Sequence, residues 1–117
     1  MDKQKDLSLI LRDILECCGR IIVSLKPLTL EQFEKNLDVQ DATIRRFEII
    51  GEAVKRVPEE FRTHYPEIPW KDAAGFRDVL IHDYPDIVLE EVFRTGKEQL
   101  PEFQAQIKKV LDDLVGV

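Results

Sequence analysis

Residues 7–25, LSLILRDILECCGRIIVSL, repeat apolar side chains every three or four positions. Over about five turns this spacing is typical of an amphipathic α-helix, because a half-buried strand would alternate instead. Charged residues such as Arg12 and Glu16 occupy the other face. Lys26-Pro27 ends the segment, since proline disfavours helical geometry at the residue before it. The predicted buried face consists of Leu7, Ile10, Leu11, Ile14, Leu15, Cys18, Ile21, Ile22 and Leu25.

Two further helices are predicted immediately after this segment. Thr29 begins the sequence T-L-E-Q, a capping box in which Gln32 supplies the return hydrogen bond. A short helix follows, with its apolar face formed by Leu30, Phe33 and Leu37. Asp38 or Asp41 can then cap a longer helix that runs to about Val57, with Phe47, Ile50, Ala53, Val54 and Val57 as its main apolar stripe.

This longer helix is apolar on more than one side. Ile44 and Ile49 fall off its main stripe, so the helix is expected to be buried on two sides, at the centre of a bundle or against a partner. Gly51, in the same helix, costs roughly 1 kcal/mol relative to alanine. A close helix–helix contact is the simplest reason for a glycine at this position.

The second half of the chain predicts a loop and three more helical segments. Prolines at 58, 66 and 69 indicate a loop with at most one helical turn, and residues 70–81 then form a helix. Asp86 caps the next helix, which Gly96 can interrupt, and Leu100-Pro101 is either a break or the first turn of the last helix. The last helix carries Phe103, Ile107, Val110, Leu111 and Leu114. Residues 1–117 therefore predict one all-α domain, a bundle of four to five main helices.

Composition restricts the class of protein. The chain has 117 residues, of which 44% are hydrophobic and 34% charged, as in a globular protein. No stretch is apolar enough to span a membrane, and the charged N-terminus does not resemble a signal peptide. Cys17 and Cys18 are adjacent, without a CxxC motif or a nearby histidine, so we expect no zinc site at this position. The absence of a disulfide framework and of an export signal predicts a cytoplasmic location. We expect no metal and no cofactor.

Chemistry is concentrated in residues 70–85, WKDAAGFRDVLIHDYP. Arg77 occupies a position on the apolar stripe of this helix, together with Trp70, Ala73, Ala74, Leu80 and Ile81. A guanidinium on a buried face needs a partner, and Asp72, Asp78 and Glu52 are the candidate carboxylates. Such an ion pair can be purely structural.

His82 follows Arg77 by five residues, which places the two about 140° apart around a regular helix. The residue before Pro85 is expected to end the helix, and the chain could there turn His82 back towards Arg77. Alternatively, two copies of the chain could bring the groups together across a two-fold axis. A histidine at a helix end is more often a C-terminal cap than a catalyst. The other histidine, His64, is expected to be solvated in a polar loop.

Arg77, His82 and Tyr84 together read R-x4-H-x-Y, and the segment resembles the HEPN domain, in particular HepT-like toxins of toxin–antitoxin pairs. The resemblance covers most of the chain in the family's order. It includes FEIIGEAV at 47–54, YPEIPW at 65–70, RDVLIHDY at 77–84 and LP at 100–101.

The resemblance implies a HEPN-type up-and-down bundle that dimerises with its R-x4-H motifs face to face. Active members are metal-independent endoribonucleases, and their motif arginine and histidine correspond to Arg77 and His82. An arginine fork matches phosphate oxygens, and histidine can serve as acid or base. The polar residue after the arginine, often Asn in the family, is Asp78 here. That carboxylate could hold Arg77 in position or weaken the binding of an RNA substrate such as mRNA or tRNA.

Tyr84 matches the tyrosine to which the MntA-type nucleotidyltransferase antitoxin of this family transfers AMP. The resemblance thus implies a type VII-like pair, in which a charged and bulky adduct blocks the cleft. Alternatively, the ring of Tyr84 could simply pack at an interface with its hydroxyl group in water. Two other functions stay open: a non-catalytic helical module that binds a nucleotidyltransferase as partner or substrate, and a nucleotide-binding protein.

The remaining candidate residues are charged groups on the longer helix. Glu52 can pair with Arg77, orient His82 or simply be solvated, while Arg45 and Arg46 are expected to form a solvated face.

The net charge of −6 disfavours bulk attraction of nucleic acid. With R-x4-H present, it predicts a narrow cationic cleft on an acidic body that also suits a basic antitoxin surface.

Overall fold

The computed structural model describes residues 3–83 and 86–116. These residues form helices and no strand, which confirms the predicted all-α class. None of the helices described is long and apolar enough to cross a lipid bilayer. The elements are α1 (Lys3–Leu25), α2 (Leu30–Glu34), α3 (Leu37–Arg56), α4 (Glu59–His64), α5 (Trp70–His82), α6 (Leu89–Arg94), a π-helix (Thr95–Gln99) and α7 (Leu100–Val115).

The four long helices pack in the order α5, α3, α1, α7. Helix α1 is central, and its predicted face is confirmed: Leu11, Ile14, Cys18 and Ile21 are fully buried. Helix α3 lies between α1 and α5, which explains why it is apolar on two sides. Its main stripe is buried from Phe47 to Val57 as predicted, and Ile44 packs against the same core.

The capping box before α2 is present, but the cap of α3 differs from the prediction. Thr29 Oγ1 accepts from the Gln32 backbone N–H at 3.2 Å, and Gln32 Oε1 accepts from the Thr29 N–H at 2.9 Å. Asn36, rather than Asp38 or Asp41, caps α3 by accepting from the Val39 N–H. Leu37 is therefore the first residue of α3 and is exposed, instead of extending the apolar face of α2.

The elements in the second half of the chain differ in part from the prediction. The proline-flanked loop contains α4, a helix of six residues. Asp86 does not cap α6, which begins at Leu89 without a side-chain cap. Gly96 does not interrupt the helical path but lies in the π-helix, where an added Cβ would come within 2.5 Å of Leu25 Cδ1. Leu100-Pro101 forms the first turn of α7, one of the two predicted alternatives.

Candidate functional site

Helix α5 presents Arg77 on its packed side. Trp70 and Leu80, which share this side, are 5% and 1% exposed, and the Arg77 side chain is 25% exposed. Ile81 was predicted to lie on the same stripe, yet it is 38% exposed because α5 packs mainly against one neighbour, α3. The apolar stripe is therefore narrower than the sequence indicated, and Arg77 lies within it.

Gly51 explains how α3 and α5 approach each other at this point. A Cβ added at Gly51 would overlap the Cβ of Arg77 and come within 2.9 Å of its Cγ and 3.0 Å of the Ala73 carbonyl oxygen. The predicted close helix contact at Gly51 is thus present, and the residue it accommodates is Arg77. The glycine lets the stem of Arg77 lie directly against the α3 backbone.

Two carboxylates lie near the guanidinium of Arg77. Its Nη1 donates to Asp78 Oδ1 at 3.0 Å, and its Nη2 lies 3.8 Å from Glu52 Oε1. Asp72, the third candidate, has no described ion pair with Arg77. The Nε of Arg77 is buried without a hydrogen-bond acceptor. The guanidinium is consequently oriented by Asp78 and keeps donor capacity for another acceptor.

Asp78 is bound by cations from two helices. Lys55 Nζ, on α3, donates to the same oxygen, Asp78 Oδ1, at 2.5 Å. The hydrogen bonds from Lys55 first, and from Arg77 next, hold the pKa of the Asp78 carboxyl below its ordinary value. Asp78 is therefore a carboxylate at neutral pH, and its charge is opposed by two cations.

Glu52 is likewise shared between two arginines. Its Oε1 lies 3.4 Å from Arg45 Nη1, which also binds Glu48 Oε1 at 3.2 Å. Glu48 and Glu52 hold the pKa of the Arg45 guanidinium above its ordinary value, with the Glu48 hydrogen bond as the main cause. Arg45 is exposed as expected, but it is paired rather than simply solvated. Of the roles considered for Glu52, the pairing with Arg77 is the one seen in this geometry.

His82 is the last residue of α5, and the helix continues through it. The predicted end of the helix near His82 is confirmed, but the helix is regular up to this point, so His82 does not turn back towards Arg77. Instead, the two residues lie about 140° apart and about 7.5 Å apart along the helix axis. His82 is exposed, on the same outer face as Gly75 and Val79. A single chain therefore presents Arg77 and His82 on different faces of α5.

Tyr84 lies outside the described residues, so its environment is not part of this geometry. Within the described ranges, no group of three or more His, Cys, Asp or Glu side chains could hold a metal ion.

An apolar cavity of about 270 Å³ lies between α3, α5 and the start of α7, lined by residues such as Phe47, Phe76 and Phe103. None of the charged groups around Arg77 lines it, so the candidate site is a surface site along α3 and α5.

Lys55 is the residue of this cluster that sequence reasoning missed. Lys55 lies one helical turn after Gly51, on the same face of α3, and this spacing could have indicated a contact with α5. The spacing is informative only once Gly51 is known to contact α5. Arg77, Asp78 and Glu52 were predicted as site residues, and the fold brings these three together with Lys55.

Similarity to known proteins extends over nearly the whole chain. A family profile described as "Ribonuclease HepT-like" matches residues 14–110. "Putative RNase MJ1216" of Methanocaldococcus jannaschii is 39% identical over 97% of this chain and 93% of its own. "Putative RNase TTE0752" of Caldanaerobacter subterraneus subsp. tengcongensis is 40% identical, over 86% and 90%. "Probable ribonuclease HepT" of Thermococcus cleftensis is 37% identical, over 86% and 91%.

The comparison with solved structures gave no match. The family match nevertheless covers the site, since Arg77, Asp78, Glu52 and His82 all fall within the matched residues. The all-α bundle, the matched profile and the named ribonuclease relatives agree with one another. The chain belongs to the HepT-like ribonuclease family, whose fold is the HEPN helical bundle.

Proposed function

We propose that this chain is the endoribonuclease toxin of a type VII-like toxin–antitoxin pair, acting in the cytoplasm on mRNA or tRNA without a metal ion. One observation carries the proposal. Arg77 is a partly exposed guanidinium with spare donors, while His82 lies on the outer face of the same helix. A two-fold pair of chains would bring the arginine of one copy near the histidine of the other.

The outer face of α5 supports such a dimer. Gly75 has no neighbouring atom within 4 Å of an added Cβ, and Val79, one turn later, is 47% exposed. His82 continues this face to the end of the helix. A second α5 could pack closely at Gly75 and bury Val79, and both copies of His82 would then lie at the interface. This face brings the two histidines together, whereas each Arg77 lies on the packed side of its own α5.

The chemistry follows from the side chains. The 2′-hydroxyl of the substrate attacks the adjacent phosphorus, and its proton passes to a base. The 5′-oxygen of the next nucleotide leaves and receives a proton, which yields a 2′,3′-cyclic phosphate and a free 5′-hydroxyl. His82 is the proposed acid or base, since an imidazole can both accept and donate a proton. Arg77 stabilises the charge on the phosphorane oxygens through its N–H groups.

Cleavage of RNA by the purified dimer in the presence of EDTA tests this proposal. We expect fragments with 2′,3′-cyclic phosphate ends, and loss of cleavage by at least about a hundredfold in Arg77→Ala and in His82→Ala. His64→Ala and Arg94→Ala are the matched controls, since both side chains are exposed and lie outside the cluster. Full activity of either site variant would refute the catalytic assignment.

Control of the toxin is assigned to Tyr84, which a cognate MntA-type nucleotidyltransferase would modify with AMP. The adduct would add negative charge two residues from His82 and repel RNA phosphates. Intact mass and peptide mapping after co-expression with the enzyme should show adenylyl groups on Tyr84. Tyr65, the other tyrosine, should stay unmodified. Unmodified Tyr84 beside an active nucleotidyltransferase would contradict this mechanism.

A second candidate function is a non-catalytic module that binds a nucleotidyltransferase as partner or substrate. The ion pairs around Arg77 favour it, because they satisfy part of the guanidinium without any ligand. It predicts a stable complex with the nucleotidyltransferase and no RNA cleavage by the purified dimer. The same cleavage assay therefore separates the two functions.

A further inference from the structure

Lys55 connects α3 to the residue that orients Arg77. The Asp78 oxygen Oδ1 accepts from Lys55 Nζ at 2.5 Å and from Arg77 Nη1 at 3.0 Å. The two donors come from different helices, so the carboxylate is fixed from both sides. Lys55 and Asp78 are both partly exposed, at 43% and 42% of their side chains, and the bridge lies at the edge of the site rather than in the core.

Asp78 alone is poorly suited to hold Arg77. The two residues are neighbours in the chain, and neighbours on a helix point about 100° apart. Within α5 the described partner of Asp78 is Arg77 itself, so without a second anchor the pair can rotate away together into solvent. Lys55 supplies the restraint from α3, at the level where Gly51 lets α3 approach the stem of Arg77.

Lys55 has a second effect, which is to balance the negative charge of Asp78. Two carboxylates lie near the guanidinium, and an arginine neutralised by them would attract phosphate poorly. Lys55 opposes the charge of Asp78, and Arg45 opposes that of Glu52. Asp78 can thus orient Arg77 while much of the charge of both carboxylates is balanced by other cations. This resolves how an aspartate can follow the motif arginine without cancelling its charge.

We propose that Lys55 is a positioning residue for the ribonuclease reaction, acting on Arg77 through the carboxylate of Asp78. The inference rests on the proposed function, since the reaction that Arg77 serves is RNA cleavage. Lys55 does not need to touch the substrate. The competing explanation is an ordinary surface ion pair, which typically contributes little to stability and would leave the reaction unchanged.

Kinetics of four variants test the proposal. Lys55→Gln and Asp78→Ala should each lower kcat on RNA by about tenfold or more, because the rate falls steeply when a catalytic group is misplaced. The double variant should be no slower than the slower single variant, and Lys55→Arg should retain most of the activity. Lys108→Gln is the matched control, since Lys108 binds Asp112 at the same 2.5 Å on α7. Wild-type kcat in Lys55→Gln would overturn the proposal.

A second measurement is independent of cleavage. The Nε–H signal of Arg77 in a ¹H–¹⁵N NMR spectrum reports whether the guanidinium is held, and it should shift and broaden in Lys55→Gln and not in Lys108→Gln. If the wild type cleaves no RNA, the proposed function fails. In that case a changed Arg77 signal in Lys55→Gln supports positioning by Lys55, and an unchanged signal overturns it.

Discussion

Arg77 shows what sequence alone could and could not establish about a single residue. Its place on the apolar stripe of α5 predicted that it needs a partner, and three carboxylates were candidates. The structure selects Asp78 and Glu52, because α3 packs against this side of α5 at Gly51. Helical periodicity fixes the direction of a side chain within its own helix. The neighbouring helix that it meets depends on tertiary packing, and for this reason Lys55 was missed.

Glu52 gives a prediction that distinguishes a carboxylate that orients Arg77 from one that competes with RNA phosphate for its charge. Its carboxylate lies 3.8 Å from Arg77, too far for a hydrogen bond, so it opposes the charge of Arg77 without fixing its orientation. We expect Glu52→Gln to tighten RNA binding by roughly two- to fivefold, as for a partly exposed charge. Binding is measured in a His82→Ala background so that the RNA stays intact.

Glu90→Gln, which removes the acid of an exposed pair with Arg94, is the control for that measurement. It should change RNA affinity less than Glu52→Gln does. Weaker RNA binding in Glu52→Gln would show that this carboxylate orients Arg77, and would contradict the distinction between Glu52 and Asp78.

The cysteines give a prediction about reactivity. Burial and the neighbouring Cys17 raise the pKa of the Cys18 thiol to about 12, so that at pH 8 only about one thiol in ten thousand is ionised. Cys18 should therefore react with iodoacetamide only after unfolding, whereas half-buried Cys17 should react slowly in the native protein. Peptide mapping after alkylation separates the two. Equal labelling of Cys18 in native and unfolded protein would contradict this prediction.

At the scale of the elements, the sequence predicted the long helices well and their ends less well. The periodic segments of α1, α3, α5 and α7 were predicted correctly because their apolar faces are buried in the fold. The predicted N-cap position of α3 was wrong by two residues or more. Asn36, Asp38 and Asp41 are all good capping residues, and only packing selects among them. The π-helix was not predicted, because its wider turn has no distinctive residue pattern.

Two glycines on neighbouring helices test the packing of α3 against α5. Gly51→Ala places a methyl group against the backbone of Ala73 and the stem of Arg77. The overpacking of about 1–3 kcal/mol should exceed the gain of roughly 1 kcal/mol in helix propensity. We therefore expect a lower free energy of unfolding in urea, together with reduced RNA cleavage.

Gly75→Ala on α5 is the matched comparison, since no atom lies within 4 Å of its added Cβ. In the monomer it should raise the free energy of unfolding by up to roughly 1 kcal/mol. A Gly51→Ala variant as stable as Gly75→Ala would show that α3 and α5 do not approach each other closely at Arg77.

At the scale of the whole molecule, the net charge of −6 and the ion-pair network around Arg77 together determine how RNA binding depends on salt. Three cations and three carboxylates form the connected network around Arg77, so the site itself carries little excess charge. RNA binding should consequently depend weakly on salt, with a slope of about −1 to −2 in a plot of log K against log salt concentration. Fluorescence anisotropy with a short single-stranded RNA measures it. A slope near −5 would instead indicate an extended basic surface.

The proposed ribonuclease site needs two copies of the chain, because α5 directs Arg77 and His82 to different faces. Mixing inactive Arg77→Ala with inactive His82→Ala, followed by subunit exchange, tests this requirement. If each site takes Arg77 from one copy and His82 from the other, an equal mixture should recover up to about a quarter of the wild-type cleavage rate. No recovery, in a mixture where native mass spectrometry detects the mixed dimer, would contradict the shared site.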